Sequence, residues 1–119
     1  MDITFQKGEI MFTKNESGIF QSAGEGVTRK ILSWSENMMI VEMEFKKGAT
    51  GALHRHIHEQ IGYVVKGKLE LTDEGEKTVL IEGDSYYMAP GEEHGVKALE
   101  ETKLIDVFTP MRQDFLFTL

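Results

Sequence analysis

With 119 residues, the chain has room for one domain around one hydrophobic core, and its 40% hydrophobic content is ordinary enough to exclude disorder. It contains no cysteine, which removes disulfides, thiolate catalysis and cysteine-ligated metal centres and is compatible with a reducing cytoplasm. A net charge of −7 with no offsetting basic stripe argues against nucleic acid, and an anionic ligand would need a local cation, a metal ion or a well-placed Arg, to bind.

The opening MDITFQKGEI carries an acid at position 2 and no sustained apolar region, so no secretory signal is expected. No apolar run approaches a membrane span, and a cytoplasmic location is expected. Glycines then punctuate nearly the whole length. Between them lie short β-leaning runs at 10–12, 18–20, 27–34, 38–45, 61–65, 68–72, 78–81, 85–88, 95–98 and 103–108. Short runs at such spacing, parted by Gly, Asn and Asp turns, predict an all-β sandwich or barrel in a single domain over 1–119. The N-terminal runs at 3–5 and 10–12 are candidate edge strands for exchange between protomers, and a homodimer is the expected assembly.

Two runs show one wet face. Met39, Val41, Met43 and Phe45 alternate with Glu42 and Glu44, and Leu69 and Leu71 alternate with Lys68 and Glu70. The stretch 72–76 that follows reads as a hairpin loop. Helix is scarce. A single turn is expected within 112–117, with Phe115, Leu116 and Phe117 packing on a sheet or a partner subunit.

The stretch GATGALHRHIHEQIGYVVKG, 48–67, carries His54, His56 and His58 at every second position, and Gln60 continues the parity. Side chains two apart on a strand share a face, so a strand here would aim up to four donors at one point. Imidazole is the commonest protein ligand for zinc, iron, nickel and copper. A lone His is more often packed or solvated, but three at period two before an apolar run favour a metal site. The fourth histidine, His94, lies in the turn-like PGEEHGV.

Spacing sharpens the pattern. Five residues separate Gly48 from His54, one separates His54 from His56, three separate His56 from Gln60, and six separate Gln60 from Gly67. Later, five residues separate Gly83 from Ala89, one separates Ala89 from Gly91, and two separate Gly91 from His94. These spacings resemble the two motifs of the cupin superfamily, with Gln60 where Glu is usual and Ala89 where Pro is usual. The resemblance implies a double-stranded β-helix, or jelly-roll barrel, holding one divalent metal ion (nickel, zinc, manganese or iron) on His54, His56, Gln60 and His94. It does not count His58 as a ligand; that side chain could point inward by parity or act behind the ligands. Glu59 has the wrong parity for the metal and reads as a solvated or interface residue.

The phrases HEQIGYV, GDSYYMAP, HGV and DVFTPMR carry a narrower resemblance, to the KdgF-type cupins of pectin and alginate breakdown. It implies an enzyme that converts 4,5-unsaturated monouronates to linear keto sugar acids, with Asp106 and Arg112 as the catalytic pair. Taken alone, Asp106 in the run Leu104-Ile105-Asp106-Val107-Phe108 either faces a polar cavity or sits solvated on an edge strand. Arg112, alone, reads as a surface residue. Tyr63, Tyr86, Tyr87, Met88 and Phe108 could line a pocket by parity. Three neutral imidazoles and a neutral amide leave a divalent charge uncompensated, which suits an anion anchor and Lewis acid. The same set permits a metal-dependent dioxygenase or a non-enzymatic sugar-acid sensor. Gln60 leans away from the first, because oxidative sites usually tune iron with a carboxylate.

Overall fold

A computed structural model describes residues 11–116 and shows ten strands in two antiparallel sheets. In chain order these are β1 (Ile19–Ser22), β2 (Val27–Ser35), β3 (Met38–Phe45), β4 (Thr50–His54), β5 (Glu59–Lys66), β6 (Lys68–Asp73), β7 (Glu76–Ile81), β8 (Ser85–Met88), β9 (His94–Ala98) and β10 (Thr102–Thr109). The six-stranded sheet runs β1-β2-β3-β10-β5-β8 and the four-stranded sheet β4-β9-β6-β7. Among the described residues no helix is long and apolar enough to cross a membrane.

Strand composition dictates which face turns inward. On β10, Thr102, Leu104, Asp106 and Phe108 are buried while Lys103, Ile105, Val107 and Thr109 are half-exposed. On β5, Gln60, Gly62 and Val64 are buried while Ile61, Tyr63 and Val65 lie outside. The inner faces build two apolar clusters. One joins Ile31, Met39, Val41, Phe108, Met111 and Phe115; the other joins Val27, Phe45, Val64, Leu69, Ala98 and Leu104. Burying side chains such as Ile31, Val41 and Leu104 stabilises by roughly 1.5–3 kcal/mol each. Asp106 lies on β10 between Leu104 of one cluster and Phe108 of the other, so the polar site sits where the two clusters part.

Several expectations change. Strand β10 is not an edge: it pairs with β3 and β5, with Asp106 opposite Val41 and Gly62, and this removes the solvated reading of Asp106. The loop at 72–76 tightens to Glu74–Gly75, both at positive φ (45° and 86°), while Asp73 and Glu76 pair across the hairpin. Gly suits that left-handed geometry, and the two-residue turn matches the strand twist. The expected strand at 10–12 does not form over Met11 and Phe12, which are exposed and have no partner strand among the described residues. The candidate strand at 3–5, residue 10 and Phe117 lie outside the described residues. The C-terminal turn is α1 (Gln113–Leu116), whose Phe115 packs edge-on to Phe108 at 5.7 Å between ring centroids.

Candidate metal centre and active site

The histidine-rich stretch is not one strand. β4 ends at His54, residues 55–58 turn, and β5 begins at Glu59, so the expected single-strand comb of donors is replaced by donors from four places. His54 closes β4 directly opposite His94 at the start of β9. His56 lies in the connecting loop and Gln60 on the inner face of β5. Long-range ties hold that loop. Gly91 N–H donates to the His56 carbonyl at 2.8 Å, and Arg55 Nη1 donates to the Gly91 carbonyl at 2.8 Å. The two motifs are thereby joined through their backbones.

One ligand atom from each of His54, His56 and His94 lies within 4.8 Å of the others. Each ring is set by a carbonyl: Nδ1 contacts the Ala52 oxygen (2.8 Å) from His54, the His58 oxygen (3.0 Å) from His56 and the Glu92 oxygen (3.0 Å) from His94. A carbonyl only accepts, so Nδ1 carries the proton and a neutral ring presents the Nε2 lone pair. Burial keeps two rings neutral, lowering His56 to about 4 and shifting His94 down. Gln60 Oε1 stands 2.9 Å from His56 Nε2. Its amide favours the charged forms of Asp106 and Tyr86, as a nitrogen turned toward them does, and this leaves Oε1 toward His56. Two lone-pair atoms so close fit neighbouring ligands of one cation, which stand about 3.0 Å apart at a right angle and about 3.4 Å apart at a tetrahedral angle when each bond is about 2.1 Å. The donor set therefore fits a divalent metal ion. His58 is not one of the grouped donors: it is half-buried, its ring edge-on to His56 at 5.5 Å and to Phe108 at 6.3 Å, and burial lowers its pKa.

On the far side of Gln60 lies a second group. Tyr86 donates to Asp106 Oδ1 at 2.5 Å. Burial raises the Asp106 pKa, against the hydrogen bonds from Tyr86 and Gln60 and the charge of Arg112. Burial, with the Asp106 charge, pushes the Tyr86 hydroxyl well up. Tyr86 on β8 stands opposite Gly62 on β5, and its ring fills the space where a Gly62 side chain would begin. That missing side chain lets the phenol cross β5 to β10. Tyr63 and Tyr87 face outward instead, and Glu59 is exposed, accepting the Tyr87 hydroxyl at 2.6 Å.

His54, Gln60, His94, Tyr86, Asp106 and Arg112 line one cavity of about 290 Å³, together with Phe108 and Phe115. This scale suits one small ligand, in a mostly apolar pocket with a few convergent polar groups. Arg112 is buried, and its Nε and Nη2 fork onto Asp114 at 3.0 and 2.8 Å. Arg29, on β2, also lines the cavity. Sequence reasoning left Arg29, Gly62 and Asp114 unassigned. Arg29 had a signal: it shares the parity of Val27 and Ile31, both fully inward, as Asp106 shares that of Leu104 and Phe108.

Comparisons with known proteins agree with this fold. The family model described as Cupin domain matches residues 41–108, and the chain belongs to the cupin family. Within that family it resembles the KdgF type. It is 48% identical over 99 residues to the pectin degradation protein KdgF of Dickeya dadantii, covering 82% of this chain and 90% of that protein. The structure of KdgF from Halomonas sp. matches with a TM-score of 0.83 at 39% identity, over 89% of this chain and 98% of the other. An RmlC-like cupin from Shewanella frigidimarina matches with a TM-score of 0.85 at 36% identity, over 90% and 96%.

Proposed function

We propose that the chain is a metal-dependent enzyme that linearises 4,5-unsaturated monouronates, opening the ring and converting the enol to the linear keto-deoxyuronate during breakdown of uronic polysaccharides such as pectin. The observation that carries this reading is a buried carboxyl of raised pKa, Asp106, lining one cavity with His54, Gln60 and His94 of the donor cluster, Gln60 standing next to both His56 and Asp106. The resemblance to KdgF supports the substrate class. A divalent ion on His54, His56, Gln60 and His94 would supply Lewis-acid polarisation of a bound oxygen and a counter-charge for an anion.

The remaining steps fall to the chain's own side chains. Asp106 takes the proton of the hemiacetal hydroxyl as the ring C–O bond breaks to leave an aldehyde and an enolate, and returns that proton to the C4 carbon of the enolate as the ketone forms. Tyr86 holds Oδ1, so that the carboxyl keeps one orientation through both transfers. Phe108 and Phe115 limit water at the reacting carbon, and Arg112 adds positive charge facing an anionic substrate. Only protons move, so no oxidant is required.

The test is ultraviolet decay of the conjugated unsaturated acid with metal-loaded protein, metal-stripped protein and no protein. Acceleration by the loaded protein alone, with oxygen uptake absent, is expected. Decay at the spontaneous rate would overturn the reading. Tight uronate binding without decay would move the assignment to a sugar-acid-binding cupin, and oxygen consumption would move it to a dioxygenase.

A further inference from the structure

The cavity holds two guanidiniums in different electrical states. Arg112 is matched by the fork of Asp114, whose own carboxyl is held down by that hydrogen bond and charge against the opposing effect of burial. Arg29 has no such match: among the described residues its hydrogen bond goes from Nε to the neutral Gln21 Oε1, at 2.8 Å. Gln21 in turn donates Nε2 to the Phe115 carbonyl at 2.7 Å, so the pair straps β1 and β2 to α1 and fixes where Arg29 points. The two guanidiniums also share one aromatic ring. Arg29 Cζ lies 3.8 Å and Arg112 Cζ 4.1 Å from the Phe115 centroid. A ring quadrupole offsets some of the charge, but less than a carboxylate does. Burial and Arg112 both disfavour the Arg29 cation, and the charge of Asp114, spent on the Arg112 fork, offsets only part of that. Holding a half-buried cation that has no carboxylate on its own fork beside a second cation is costly unless a further anion completes the set.

We propose that Arg29 is the carboxylate-binding residue of the cavity: its Nη groups, left over after Nε is tied to Gln21, receive the carboxylate of the substrate. A guanidinium fork suits a carboxylate in two-point contact. Arg112, with its own fork on Asp114, then acts on the ring face rather than as the principal anion clamp. This assignment rests on the uronate reading above and names which group recognises the acid.

The experiment compares wild type, Arg29→Gln and Arg29→Lys, all metal-loaded, on the unsaturated monouronate and its neutral methyl ester. For Arg29→Gln, KM for the acid is expected to rise about ten- to hundredfold, with kcat nearly unchanged and KM for the ester unmoved. Arg29→Lys keeps the charge and loses the fork, and should fall between. If Arg29→Gln does not fold, Arg29→Lys carries the test. An acid KM within twofold of wild type in the folded variants would overturn the assignment while leaving the uronate reading standing. If wild type does not accelerate decay, calorimetry with galacturonate and galactose separates the two claims. Galacturonate binding lost in Arg29→Gln supports the anion site alone, binding retained overturns it, and no galacturonate binding by wild type overturns both.

Discussion

The two poles of the cavity are held by different means. At the metal pole, His54, His56 and His94 come from two strand ends and a loop, and each ring is set by a backbone carbonyl. That pole is partly open: His54 is exposed and His56 half-buried. At the proton pole, Asp106 on β10 and Tyr86 on β8 meet across the inner face of β5 and are oriented by each other. Asp106 is only 5% exposed. One pole owes its geometry to chain reversals and the other to sheet packing, so the two should fail independently. Gln60 alone belongs to both.

The largest break is expected at the metal pole. His94→Ala removes one Nε2 donor, so metal content should fall well below one ion per chain and uronate decay should return to the spontaneous rate. His58→Ala should retain the metal, because that ring lies outside the cluster; elemental analysis of the dialysed proteins checks both. At the other pole, Asp106→Asn should keep a full complement of metal while kcat drops about 10²–10⁴-fold, the usual worth of a positioned proton carrier. Loss of metal in Asp106→Asn would contradict the separation.

A steric change comes next. Gly62→Ala drives a methyl into the Tyr86 ring, and overpacking of this kind costs about 1–3 kcal/mol. A lowered melting temperature by calorimetry, with metal content intact, is the expected result. The smallest effect is a difference in pH response. In metal-free protein, burial holds His56 at about 4 and lowers His94 from the ordinary 6.5, so the unfolded chain binds more protons in that interval. Their contribution is complete above about 6.5 and is lost as pH falls toward about 4. Asp106, raised above its ordinary 3.8, acts with the opposite sign, since the folded chain keeps its proton as pH climbs. Melting temperature on acidification should therefore fall more steeply in metal-free Asp106→Asn than in metal-free wild type, and equal slopes would contradict this.

The poles also differed in how far they could be read from the sequence. His54, His56, Gln60 and His94 stood out through spacing between glycines, and Gly48, Gly67, Gly83 and Gly91 all hold positive φ. The physical picture behind the spacing was nevertheless incomplete. The spacing predicts a single strand where the chain turns, because the Gly91 and Arg55 ties that shape the turn join residues far apart in the chain. Asp106 stayed open between cavity and edge until strand order put β10 between β3 and β5. The roles of Gly62 and Tyr86 depend on one register, Gly62 opposite Tyr86, that no local pattern encodes. Arg29 was legible only as a charge at an inward parity.

The most direct test of the two-pole account is Gln60→Glu, with metal affinity and uronate decay measured on the same preparation. The substitution keeps an oxygen for the metal and replaces the amide donor toward Asp106 and Tyr86 with a second carboxylate. The account predicts metal bound at least as tightly as in wild type, with kcat reduced at least tenfold. Wild-type kcat in fully loaded Gln60→Glu would show that the amide does not join the poles, and would contradict the account.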